Sequence, residues 1–129
     1  MNAMKFEHFA LNVPEAHRHA QWYVDHAGFR IARQLAEPPH MTFLADDTGR
    51  VFLELYSNPK SDCTDFKSLH PLKFHFAVVS ADVKADRAKF EAAGATFFAE
   101  DVTPDGSRLL MLRDPRGVPL QLCQRVKPF

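Results

Sequence analysis

The sequence predicts an α+β fold of two tandem βαβββ modules forming a curved mixed β-sheet around a cleft. Three observations predict it. The tripeptide HFA occurs at residues 8–10 and again at 75–77, an offset of 67. The same offset carries VFLELYS, from Val51, onto VPLQLCQ, from Val118, so that Leu53 meets Leu120, Glu54 meets Gln121 and Leu55 meets Leu122. Between these anchors AGFRI (from Ala27) answers AGATF (from Ala93), and the turn DDTG (from Asp46) answers DPRG (from Asp114), with one residue of slip in opposite directions. Such slips belong in loops, and a fixed period over separated segments marks a duplication.

Each element follows from local chemistry. In the first module KFEHFALNV has the β-favouring residues and alternation of a strand. Pro14 suits a first helical turn, where its missing N–H is not needed. A helix is predicted over 14–27, with Ala16, Ala20, Trp22, Tyr23 and Ala27 on a broad apolar face and Gly28 as the stop. FRIARQL, MTFLAD and RVFLELYS are three further strands. The second module repeats the order. KFHFAVVS is a strand, Ser80 or Asp82 caps a helix running to Ala93, and Gly94 ends it. Val83, Phe90 and the alanines line the inner face of that helix. ATFFAE, RLLMLRD and VPLQLCQ complete the module. Module one spans about 5–57 and module two about 72–126, joined by the polar, proline-bearing linker SNPKSDCTDFKSLHP at about 58–71. A unit of about sixty residues buries too little surface to be secure alone, so the modules are expected to share a sheet and a core as one domain over 1–129.

Composition narrows the function classes. Sixteen basic residues balance 16 acidic ones, leaving no overall field to recruit nucleic acid or an anionic membrane. A small-molecule substrate or another copy of the chain is the expected partner. No apolar run approaches membrane-spanning length, and no basic-then-apolar leader opens the chain. Cys63 and Cys123 lack metal-ligand spacing and cannot frame a disulfide scaffold. These features together predict a cytoplasmic protein.

Side chains alternate across a strand. Phe9, Leu11, Val13, Phe74, Phe76, Val78, Leu53, Leu55, Leu120 and Leu122 therefore face the helices. The opposite face carries His8, Glu54, His75 and Gln121, with Phe52, Tyr56, Ala77 and Cys123 as candidate pocket residues. The duplication makes His8–Glu54 and His75–Gln121 equivalent pairs. Two imidazoles, a carboxylate and an amide oxygen suit one divalent metal ion. A lone strand histidine is more often a core residue than a ligand, but a carboxylate in an apolar strand needs a cation or a strong donor. His17, His19 and His26 on the first helix are read as packing or solvated residues. His40 and His70 are loop residues that can touch substrate without binding metal. Arg108, Arg113 and Arg116 are read as surface charge.

The whole chain resembles the vicinal oxygen chelate superfamily, which includes glyoxalase I, bleomycin- and fosfomycin-resistance proteins and extradiol dioxygenases. The resemblance rests on the βαβββ duplication, WY (Trp22-Tyr23) before HAGF, AAGA closing the second helix, and LRDPRGVPLQL near the end. It implies metal ligands from the first and last strands of each module, here His8, Glu54, His75 and Gln121. It also implies a glutamate at the position of Gln121, which acts as a base in glyoxalase I. Glutamine can offer its carbonyl oxygen but no charge and no base, so Glu54 is left as the catalytic carboxylate. The implied function is a metal-dependent lyase or isomerase, using Ni, Zn, Mn, Co or Fe to activate a small oxygenated substrate. The alternatives are a dioxygenase built on His8, His75 and Glu54, and a metal-free binding protein of the antibiotic-resistance type. The family also commonly assembles as homodimers, and exposed sheet edges need covering.

Overall fold

Hydrogen bonding divides the strands into two four-stranded sheets, each drawn from one repeat. The computed structural model describes residues 2–129, which fall into two compact units, one ending at Thr64 and the other spanning Asp65–Phe129. The first unit contains β1 (Phe9–Asn12), α1 (Ala16–Ala27), β2 (Arg30–Gln34), β3 (Thr42–Ala45) and β4 (Val51–Tyr56). Its strands are ordered β1-β4-β3-β2. β1 runs parallel to β4 and the other pairs are antiparallel. The second unit opens on a short 3₁₀ turn at Phe66–Ser68 and repeats the plan. It contains β5 (Phe76–Val79), α2 (Val83–Ala92), β6 (Thr96–Val102), β7 (Arg108–Arg113) and β8 (Pro119–Gln124), with strand order β5-β8-β7-β6.

Register explains which residues form each core. Phe9 pairs with Leu53 and Leu11 with Leu55 in the first unit; Phe76 pairs with Leu120 and Val78 with Leu122 in the second. Paired residues share a face, so the alternation read from sequence becomes a continuous apolar layer. Leu44, Leu53, Leu55 and Tyr23 are fully buried in one unit, and Leu110, Leu112, Leu120, Leu122 and Val83 in the other. Each such leucine contributes about 1.5–3 kcal/mol by leaving water.

α1 starts later than expected for a physical reason, whereas α2 starts after Asp82, one of the two expected caps. α1 begins at Ala16, and residues 14 and 15 form a turn. Its cap comes from the far end of β4: the Ser57 hydroxyl accepts from the Ala16 N–H at 2.9 Å and donates to the Val13 carbonyl at 2.6 Å. α2 is capped locally, the Asp82 carboxylate accepting from the Ala85 N–H at 3.1 Å. At the stop of α1, Gly28 adopts φ 73°, a left-handed conformation that favours glycine. No helix among the described residues is long and apolar enough to cross a membrane.

The two turns that the repeat matched are built alike. Gly49 N–H donates to the Asp46 carbonyl, and Gly117 N–H donates to that of Asp114. Each aspartate also accepts at its side chain from the backbone two residues on. Asp46 is held below the usual carboxylate range, first by its bond from the Thr48 hydroxyl.

Candidate functional site

Both histidines of the repeat stand immediately before a strand, since β1 starts at Phe9 and β5 at Phe76. Each is fixed by a hydrogen bond at Nδ1. For His8 the partner is the Glu7 carboxylate at 2.8 Å; for His75 it is the Pro71 carbonyl at 2.8 Å. A carbonyl oxygen only accepts, so His75 carries its proton on Nδ1 and its Nε2 presents a lone pair. This is the arrangement by which an outer partner orients a ligating imidazole.

In the first unit His8 Nε2 lies 3.2 Å from Glu54 Oε1. Glu54 is 8% exposed, although it sits between two core leucines in sequence. Register explains its direction: Ala10 and Phe43 are its cross-strand partners, on the face opposite Leu53 and Leu55. The His8 ring stands edge-on to Phe43, with centroids 5.5 Å apart. A buried carboxylate needs a partner in place of water, which a protonated His8 or a bound cation supplies.

The second unit places His75 and Gln121 along one cavity of about 200 Å³, together with His70, Pro71, Leu72, Phe98, Ala99, Asp101, Leu109 and Met111. Gln121 Oε1 accepts from the Cys123 thiol at 3.4 Å. Burial pushes that thiol above its ordinary pKa, which keeps it a donor. Among the described residues, no three His, Cys, Asp or Glu side chains are grouped so that they could hold a metal ion. Of the four residues predicted as ligands, each unit holds one imidazole and one side-chain oxygen, of types suited to a divalent cation.

The pocket residues expected from alternation are distributed unevenly. Ala77 pairs with Gln121 and is exposed beside it, and Cys123 touches Gln121. Tyr56 is half-buried at the end of β4, opposite Asn12. Phe52 is displaced from strict alternation, because β3 pairs Leu44 with Leu53 and then Ala45 with Val51, skipping it. Its ring packs at 4.9 Å from Phe29, which in turn stacks on Tyr23 of α1.

Sequence reasoning missed Glu7, the Pro71 carbonyl, Phe98, Asp101 and Met111. Met111 was legible in principle, since Met111 pairs with Gln121 in register. Phe98 was not. β6 pairs Phe97 with Leu112 and then Ala99 with Met111, so Phe98 is the skipped residue at a bulge, a feature that re-aims a side chain.

A model of the Glyoxalase/Bleomycin resistance protein/Dioxygenase superfamily matches residues 5–122. Among solved structures, the chain is similar to TnmS3, an antibiotic binding protein from Streptomyces sp. CB03234, with 22% identity and a TM-score of 0.71, covering 95% of this chain and 97% of that one. It is also similar to a mutant of glyoxalase I from Zea mays, with 22% identity and a TM-score of 0.72, covering 95% of this chain and 46% of that one. At these identities the likeness shows the fold alone. No curated protein sequence matches.

Proposed function

The chain belongs to the Glyoxalase/Bleomycin resistance protein/Dioxygenase superfamily, and on that premise we propose that it is a metal-dependent lyase or isomerase acting on a small oxygenated molecule. The reading is carried by one observation: a buried glutamate whose carboxylate meets the Nε2 edge of a histidine, itself steadied at Nδ1 by a second carboxylate. The residues proposed as cation ligands are His8 and Glu54 in the first unit and His75 and Gln121 in the second, the cation being one of Ni, Zn, Mn, Co or Fe. When bound, such an ion acts as a Lewis acid toward a substrate oxygen and makes the neighbouring C–H more acidic. Glu54 is the only carboxylate at the four positions and is assigned the proton transfer. Gln121 supplies a neutral oxygen donor, held in place by Cys123. We take the protein to be a cytoplasmic homodimer. β2 is a fully exposed sheet edge, and Val79, Phe97 and Val102 of the second sheet are exposed apolar residues, surface that a second copy would cover.

The test is to strip the purified protein, reload it with each of the five metals, and assay isomerisation of small α-oxo adducts alongside Glu54→Gln. Activity that returns with one metal and fails in the variant bears the reading out; inactivity with every metal sinks it. A binding protein without chemistry is the second reading, favoured by the largely apolar lining of the second unit's cavity.

A further inference from the structure

His70, in a turn, and His75, two residues past it, line the second unit's cavity with bonding partners that set opposite tautomers of the neutral rings. The turn over 70–73 closes by the Lys73 N–H donating to the His70 carbonyl at 2.8 Å. Within it, the Leu72 N–H donates to His70 Nδ1 at 3.1 Å. A backbone N–H can only donate, so His70 Nδ1 is an acceptor and the neutral ring carries its proton on Nε2. His75 is fixed the other way by the Pro71 carbonyl, with its proton on Nδ1. The same few residues thus set one ring as a donor at Nε2 and the other as a lone-pair bearer at Nε2. Both residues line the cavity.

The rest of the lining describes what such a donor would meet. Leu72, Phe98, Leu109 and Met111 are apolar, and the His70 ring stands edge-on to Phe98 with centroids 5.4 Å apart. The one carboxylate among the lining residues is Asp101, and no lysine or arginine is among them. Arg113 does lie over the Phe98 ring, but its Nη1 donates to the carbonyls of Phe66 and Gly117. In the metal-free protein, an anionic ligand would meet the Asp101 charge with no lysine or arginine in the lining to offset it. A neutral oxygen needs none.

We propose that His70 is a substrate-binding residue whose Nε2–H donates to the carbonyl oxygen of a neutral, largely apolar molecule seated against Phe98 and Met111. This deepens the reading of the site given above, and rests on it only for the role of His75. It assigns the substrate class as uncharged carbonyl compounds, and sets carboxylates and phosphates aside.

Three probes of matched shape test it: acetophenone, which has a neutral carbonyl; benzoate, which is anionic; and cumene, which has no oxygen. Long-range ¹H–¹⁵N spectra of the wild-type protein at about pH 8, above the ordinary imidazole range, should show His70 protonated on Nε2 and His75 on Nδ1. Acetophenone should then shift the His70 ring and the Met111 methyl, and bind more tightly than either comparator. His70→Asn retains an oxygen able to accept from the Leu72 N–H, as in an Asx-turn, but loses the ring donor. It should weaken acetophenone about five- to tenfold, the worth of one neutral hydrogen bond, and leave cumene unchanged. The proposal is overturned if the tautomers are reversed, if benzoate or cumene binds as tightly as acetophenone, or if His70→Asn binds acetophenone like the wild type. Parallel titrations with Ni²⁺, Zn²⁺, Mn²⁺, Co²⁺ and Fe²⁺ separate the two readings. Failure of all five to bind removes the metal-dependent enzyme and leaves the acetophenone result to decide His70.

Discussion

His8 Nε2 lies 3.2 Å from Glu54 Oε1, while His8 Nδ1 lies 2.8 Å from Glu7 Oε1, so one imidazole is held between a buried and an exposed carboxylate. Glu7 is therefore expected to set the ring's orientation without touching a substrate. Glu7→Gln should weaken divalent-metal affinity by about tenfold, the low end for an outer partner of a ligating histidine. Glu54→Gln should weaken it more. Isothermal titration with Zn²⁺ checks both, and equal affinities in wild type and Glu7→Gln would assign Glu7 to the solvated surface.

Gln121 is where the chain departs from the glutamate that the resemblance implies. Gln121→Glu adds a charge to the ligand set and should tighten Zn²⁺ by about tenfold, a modest Coulombic gain at a partly solvated site. Hemithioacetal isomerisation is assayed alongside on the metal-loaded proteins, and activity that rises from nothing in Gln121→Glu would mean that the native substrate lies elsewhere.

The two thiols should react at different rates. Cys63 is exposed and Cys123 is buried, with burial raising the Cys123 pKa. Because the thiolate is the nucleophile, a raised pKa means less of it at neutral pH. Iodoacetamide at pH 7 should label Cys63 first, and Cys123 should catch up only as pH rises. Mass spectrometry of digests over a pH series measures this, and equal rates at pH 7 would contradict it.

Gly117 is a stability prediction independent of the chemistry. It has φ 96°, and a Cβ there would come within 2.7 Å of the Lys67 backbone nitrogen. Gly117→Ala should destabilise by more than about 1 kcal/mol, since both strain and a backbone clash act. Gly28→Ala has the strain alone, with nothing near its Cβ, and should cost less. Urea unfolding of both variants gives the order.

Much of the fold was legible because duplication doubled the signal. Leu53 and Leu55 could be checked against Leu120 and Leu122, and both pairs form the cores. What the sequence concealed lies where local pattern stops deciding. Ser57 caps α1 from 41 residues away, so Pro14 misplaced its start by two residues. Bulges re-aimed Phe52 and Phe98, because period-2 alternation presumes an unbroken ladder. For the site, alternation put Glu54 and Gln121 on the face opposite the core leucines, which is where register places them. The partners of His8 and His75 were out of reach: an adjacent glutamate is one of many, and a backbone carbonyl has no sequence signature.

The central claim is that the buried Glu54 carboxylate, beside His8, holds a divalent cation. Metal affinity should be measured on wild type, His8→Ala and Glu54→Gln under one set of conditions. Binding weakened about tenfold or more by either change is the predicted result. Binding unmoved by both changes, or no binding in the wild type, would contradict it.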